Sequence, residues 1–118
     1  MKLIDINTAV DVLIEAIKTD YRGYMDTYAG GWSGKGEMTE VQDKMVAEFE
    51  NEIGFIPGNK YIKITNRNHG SVWGFVVKED GPKFRKGDIL KAAGWSGPAT
   101  NYARGNVFSG FNVRWTGA

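Results

Sequence analysis

Cysteine is absent from this chain of 118 residues, and histidine occurs once. The absence of cysteine excludes disulfide bridges, thiolate metal ligands and a cysteine nucleophile. A transition-metal site needs three or four nitrogen, sulfur or oxygen ligands, of which His69 could supply one, so we predict no metal site and no cofactor. No carboxylate lies near His69 in the sequence to orient it as a general base, so we interpret it as a surface turn residue.

Long hydrophobic runs are also lacking. No segment approaches the ~18 apolar residues of a membrane span, and Asp5 interrupts the N-terminal apolar residues too early for a signal peptide. The phosphate-binding loop, the dinucleotide fingerprint and the Gly-x-Ser-x-Gly motif do not occur. The sequence therefore predicts an intact, soluble, cytoplasmic protein that is not an enzyme and has no catalytic residues.

The charges are sorted by half. Residues 1–59 hold 5 Lys and Arg against 11 Asp and Glu, whereas residues 60–118 hold 10 against 3, so a net −6 is followed by a net +7. Surfaces of one sign attract partners of the other sign. We predict a single domain, 1–118, with an acidic helical part over 1–58 and a basic β part over 59–118.

Spacings of three and four predict two helices in the acidic part. The apolar face of the first helix is formed by Val10, Leu13, Ile14, Ile17, Tyr21, Tyr24 and Tyr28, and Gly30-Gly31 is expected to end it. The second helix begins with a Thr39/Gln42 capping box and presents Val41, Met45, Phe49 and Ile53. A short edge strand is expected at Leu3, Ile4 and Ile6.

From residue 60 the apolar spacing changes to two, which predicts strands over 61–65, 71–78, 89–93 and 111–116. Asn and Gly residues at 66–70 predict a hairpin turn between the first two of these strands. Pro98 and Gly105 are typical of the start and end of a short helical turn. The predicted fold class is α+β, with two N-terminal helices packed on a small, strongly bent antiparallel sheet or SH3-like barrel.

Basic and aromatic residues alternate in the second half, a mixture suited to phosphates and unpaired bases. The candidate residues for binding nucleic acid or another partner are Arg67, Trp73, Arg85, Lys91, Trp95, Tyr102, Arg104 and Arg114. Gly-Trp-Ser-Gly occurs twice, at 31–34 and 94–97, so Trp32 and Trp95 are either aromatic platforms or core residues. Alternatively, the basic face docks on the acidic helices of the same chain or of a second copy.

Two segments resemble phage proteins. Residues 84–118, with Phe-Arg-Lys-Gly-Asp-Ile-Leu-Lys-Ala-Ala-Gly-Trp at 84–95 and Arg-Trp-Thr-Gly-Ala at 114–118, resemble small uncharacterised proteins of large tailed bacteriophages. Residues 31–36 are similar to the Gly-Trp-Asn-Gly-Lys stretch of phage proteins that sequester nucleotide signals, with Ser33 in place of Asn. These resemblances imply a binding protein made in a bacterial cytoplasm, and they assign no catalytic residue.

Two functions follow from these features. The first is a non-enzymatic, phage-type protein whose basic, aromatic-rich half binds nucleic acid or another polyanion. The alternative is a host-interaction or anti-defence protein that binds a host protein or a small nucleotide and self-associates through its oppositely charged halves.

Overall fold

The computed structural model describes residues 5–33 and 40–118, with the backbone alone over 26–33. Helix α1 spans Ile6–Ser33 and helix α2 spans Glu40–Glu52. Strands β1 (Gly54–Pro57), β2 (Tyr61–Asn66), β3 (Ser71–Val77) and β4 (Ile89–Lys91) form an antiparallel sheet in chain order. Strands β5 (Gly105–Asn106) and β6 (Gly110–Phe111) form a separate hairpin. The predicted α+β class is confirmed, whereas closure into a barrel stays a prediction.

Helix α1 begins one residue after Asp5, whose carboxylate accepts the backbone N–H of Asn7 at 3.0 Å and so acts as the N-cap. The helix continues through Gly30-Gly31, so the predicted end is wrong. Glycine inside a helix costs only ~1 kcal/mol relative to alanine and does not forbid the helical backbone. Of the predicted edge strand, Leu3 and Ile4 lie outside the described residues and Ile6 opens α1.

The predicted apolar face of α2 is confirmed in part. Phe49 packs against the core and Ile53, one residue after the helix, is buried, but Val41 is 69% and Met45 42% exposed and Val46 is buried instead. A strict spacing of four drifts by about 40° per step around a helix, because 3.6 residues make a turn. Positions 46, 49 and 53, which are spaced by three and then four residues, stay on one side of the helix. Thr39 of the predicted capping box lies outside the described residues.

A register shift in the β2–β3 hairpin decides which side chains reach the core. The shift lies between Ile64 and Thr65, opposite Trp73. A bulge of this kind reverses the alternation of side chains along the strand. Trp73 therefore joins Val76 in the core cluster on the sheet face that packs against α1, which we call the inner face.

The opposite face of the sheet, which we call the outer face, carries a smaller apolar cluster. Phe75, Val77 and Leu90 form its centre, and Tyr61 and Phe84 pack against them. Cross-strand partners such as Lys63 and Phe75 lie on the same face, so Lys63 also belongs to the outer face.

Residues 98–107 lie beside β4 and contain no helix, so the predicted helical turn between Pro98 and Gly105 is wrong. The backbone N–H groups of Ala99 and Arg104 donate to the carbonyls of Lys91 and Ile89, both at 2.7 Å. Bridges at Ala92–Pro98 and Asp88–Asn106 mark the ends of this edge segment. These bonds satisfy the free edge of β4, which a helical turn could not do.

Two further strand predictions differ from the structure. Within the predicted strand over 111–116, only Phe111 is in a strand, although Val113 and Trp115 still pack against the core. Strand β1 was not predicted, because Gly54 and Pro57 are typical strand breakers. It is an edge strand paired only with β2, a position where proline is tolerated.

Candidate functional site

Two pairs of a half-buried cation and an exposed aromatic ring lie on the basic half of the protein. Lys63 reaches over the outer face, and its Nζ lies 4.1 Å from the centroid of the Trp95 ring, which is 50% exposed. On the edge segment, the guanidinium carbon of Arg104 lies 3.7 Å from the Tyr102 ring, which is 59% exposed. Both distances are within the range of cation–π attraction. Each pair presents an aromatic surface and a positive charge to solvent together.

The backbone of the edge segment positions the second pair. The Arg104 N–H bond to Ile89 fixes this residue to β4, and its guanidinium also donates to the Tyr102 carbonyl at 2.8 Å. The same guanidinium lies 3.4 Å from Oδ1 of Asn101. Arg104 is thus held by three hydrogen bonds and a ring contact, which lowers the entropy lost when it binds a phosphate.

An apolar groove of about 330 Å³ opens beside the outer face. Its walls include Tyr61 and Phe84, and Lys60 and Lys83 line it. Nζ of Lys83 lies 5.6 Å from the centroid of the Phe84 ring. Sequence reasoning missed this groove, although the adjacent pairs Lys60-Tyr61 and Lys83-Phe84 carry the same basic–aromatic signal as the predicted residues.

The carboxylates Glu79 and Asp80 also line this groove. Asp80 accepts the backbone N–H of Lys86 at 2.8 Å, so its charge is partly engaged in the turn. The groove is therefore mixed in charge, and the two cation–aromatic pairs are the more uniformly basic part of this surface.

Among the described side chains, the positive charges of the second half form no ion pair with a carboxylate. In the part of the chain with described side chains, the ion pairs are Lys18–Glu15 at 3.3 Å and Arg22–Glu50 at 3.0 Å. No Lys or Arg of residues 60–118 pairs with a described carboxylate. This argues against docking of the basic face on the described acids of its own helices.

The structure separates the eight predicted binding residues. Trp95, Tyr102 and Arg104 form the exposed pairs, and Arg85 is exposed in the turn that leads into β4, where its N–H donates to Asp88. Lys91 is exposed, but it follows the outer-face residue Leu90 and so points to the opposite side of the sheet.

Of the eight predicted binding residues, Trp73 alone is buried. Its side chain is 2% exposed and its Nε1 donates to the Arg114 carbonyl at 2.7 Å, so the ring has no face free for a base. Arg67, at φ 52° in the β2–β3 turn, lines a cavity beside α2, and Arg114 lies near α1 in the C-terminal segment. Trp73, Arg67 and Arg114 therefore lie apart from the two cation–aromatic pairs, and the binding role of the other predicted residues stays a prediction. The side chain of Trp32 lies outside the described residues.

His69 lies in the same turn as Arg67, and its Nδ1 is 2.6 Å from the Thr65 hydroxyl. Among the described side chains, no group of three or more His, Asp or Glu is placed to hold a metal ion. Neither described helix has the length and apolar character needed to cross a membrane.

No protein-family model, curated protein or solved structure matches this chain. The geometry alone therefore defines the class, which is a small α+β protein with an exposed surface of paired cations and aromatic rings.

Proposed function

We propose that this chain is a non-enzymatic binding protein of phage type that binds a single-stranded nucleic acid, or a similar flexible polyanion, in a bacterial cytoplasm. The observation that carries the proposal is the two exposed pairs, Lys63–Trp95 and Arg104–Tyr102, which no described carboxylate neutralises. The phage origin rests on the resemblance of residues 84–118.

The physical basis is that each pair combines the two groups that single strands need. An exposed ring stacks on any base, a contact worth ~1–3 kcal/mol, and the adjacent cation neutralises a phosphate and releases its counterions. Since neither group reads hydrogen-bonding edges, we expect little sequence specificity.

A small nucleotide is the second candidate, and the groove beside Tyr61 and Phe84 favours it. Its volume of about 330 Å³ falls at the lower end of the range for small-molecule sites. Lys60 and Lys83 could receive the phosphate while a ring wall receives the base. This candidate corresponds to the anti-defence alternative.

The test is fluorescence anisotropy of a labelled 12-nucleotide oligo-dT at several salt concentrations. We expect binding at ~50 mM salt that weakens steeply as salt rises. Lys63→Ala should flatten the log–log salt slope by about 0.7, the value for one phosphate contact on a single strand. Trp95→Ala should weaken binding by ~1–3 kcal/mol and leave the slope unchanged.

Arg114→Ala is the matched control for Lys63→Ala, because it removes one exposed cation of the same half that lies away from the outer face. We expect a clearly smaller effect from it. Absence of oligonucleotide binding at ~50 mM salt would refute the proposal. Equal affinities for a mononucleotide and the oligonucleotide would favour the second candidate.

A further inference from the structure

A second cavity, of about 200 Å³, lies on the other side of the molecule, where α1, α2, the β2–β3 turn and the C-terminal segment meet. Three aromatic rings form its wall. Tyr21 and Phe49 stack with centroids 4.2 Å apart, and the Trp115 ring stands at 83° to Tyr21 and at 88° to Phe49. The faces of these rings attract a cation, whereas their edges repel one, so a cation is attracted where a ring face lines the cavity.

Packing and one hydrogen bond hold this wall in place. Tyr21 is 6% exposed and packs with Val46 of α2. The backbone N–H of Trp115 donates to the Asp20 carboxylate at 2.8 Å, which ties the C-terminal segment to α1. The cavity is thus assembled from parts far apart in the chain and keeps its shape without a ligand.

Two carboxylates of α2, Glu48 and Glu52, also line the cavity. Neither forms an ion pair with a described cation, although Arg67 lines the same cavity. Burial raises the pKa of the Tyr21 hydroxyl, and Tyr24 and the negative charge of Glu48 raise it further. The field of Glu48 therefore reaches the aromatic wall.

Asn66 lines the same cavity, but its Oδ1 is buried and receives no hydrogen bond. Because this oxygen is not accessible to water, a ligand in the cavity does not reach it. The side chains that such a ligand does reach offer two charged acceptors, Glu48 and Glu52, beside apolar ring surface.

We propose that this cavity binds an alkylammonium group, carried either by a free amine or by a lysine side chain of a protein partner. The N–H donors of the ammonium face Glu48 and Glu52, and its alkyl stem lies against the rings. An anion would be repelled by the two carboxylates, and a neutral group would gain nothing from their charge. The inference is independent of the proposed nucleic-acid function.

The test is NMR titration of the whole protein with 1-butylammonium, with 1-butanol as the uncharged probe of the same chain length. The indole N–H peak of Trp115 is identified as the one missing in Trp115→Phe. We expect this peak to shift and saturate at millimolar butylammonium, since a Kd of about 1 mM needs only ~4 kcal/mol, well below the ceiling of ~1.5 kcal/mol per heavy atom for a ligand of this size. Butanol should not saturate the site.

Glu48→Gln and Glu52→Gln should each weaken the binding by at least about 3-fold, as expected for loss of one charge contact. Arg67→Ala should strengthen it, because a competing cation is removed. Glu40→Gln is the matched control, since it removes a charge from the same helix but does not line the cavity. At ~0.1 M salt its effect should stay below about 2-fold, because the screening length is ~10 Å.

A peptide with one lysine distinguishes the two sources, because tighter binding of the peptide than of butylammonium points to a protein partner. Tighter binding of 1,5-diaminopentane points to a free amine. Three outcomes would each overturn the proposal. They are equal shifts with butanol, no shift at ~50 mM butylammonium, well above a millimolar Kd, and unchanged binding in both Gln variants. Glu48 is exposed, so Glu48→Gln should fold normally.

Discussion

At the scale of single residues, Gly87 holds the turn that leads into β4. Its φ is +91°, and an added Cβ would lie 2.5 Å from the Phe108 ring. Its N–H donates to Val77 and its carbonyl accepts from Val107, so the backbone cannot relax freely. Gly87→Ala should therefore lower the free energy of unfolding by ~1–3 kcal/mol, measured by urea denaturation.

Gly94→Ala is the matched control for this prediction. No atom lies within 4 Å of a Cβ added at Gly94, and its φ is not in the left-handed region. We expect a change within ~0.5 kcal/mol. Equal losses in the two variants would show that the strained turn at Gly87 does not matter for stability.

Tyr21 makes a pH-dependent contribution that its burial explains. Because the folded protein raises the pKa of this hydroxyl above 10.0, the folded state keeps the proton more tightly than the unfolded state. Stability should therefore be fully present below pH 10 and fall as the pH rises through the raised pKa. Tyr21→Phe should show a shallower loss of Tm between pH 9 and pH 11 (about one unit either side of the ordinary value). Parallel Tm curves for the two proteins would contradict this prediction.

The two tryptophans Trp73 and Trp95 show how far single residues could be predicted. Both lie among basic residues in the second half, and the alternation of basic and aromatic residues predicts the same binding role for both. The structure buries Trp73 and exposes Trp95, because a register shift turns Trp73 toward the inner face. A bulge is set by pairing across the hairpin and leaves no signal in the local spacing. Trp95 as an exposed platform was one of two open interpretations.

At the scale of elements, α1 is the support of the inner face. Ile17 is 0% exposed and belongs to the cluster that joins α1 to the sheet, whereas Val12 is 53% exposed on the same helix. Ile17→Ala should lower the free energy of unfolding by ~2–5 kcal/mol, while Val12→Ala should change it by less than ~0.5 kcal/mol. Urea denaturation measures both. Similar small losses would mean that α1 does not depend on packing against the sheet.

Elements with a regular apolar spacing could be predicted, and elements defined by edge pairing could not. The buried face of α1 as far as Tyr21 and the β2–β3 hairpin follow from spacings of four, three and two in the local sequence. Tyr24 of the predicted face is instead 48% exposed, and the side chain of Tyr28 lies outside the described residues. The edge segment over 98–107 takes its course because its N–H groups bond to the free edge of β4. Its Pro and Gly residues are compatible with several backbones, so nothing local distinguishes a helical turn from an extended edge. The cavity lined by Tyr21 and Trp115 was not predicted either, because these two residues lie 94 positions apart in the sequence.

At the scale of the whole molecule, the sorting of charge acts over distances that salt can control. The molecule extends 50 Å along its longest axis, several times the screening length of ~8 Å at physiological salt. A polyanion at one end of the molecule therefore feels acidic residues at the other end only when salt is low.

Repulsion of the polyanion by α2 predicts that neutralising the first turn of this helix speeds association. This prediction depends on the proposed nucleic-acid function. Glu40 and Asp43 are exposed there and line neither of the two cavities described above. In stopped-flow measurements, the double variant Glu40→Gln/Asp43→Asn should bind the oligonucleotide with an association rate raised about 2-fold or more at ~10 mM salt, where the screening length is ~30 Å. The gain should vanish at ~0.3 M salt. A gain that persists at high salt would indicate a direct contact between α2 and the ligand. A decrease at low salt would show that the acidic half is not repelling the polyanion, and the charge sorting would then need a different partner, such as the basic surface of a second copy.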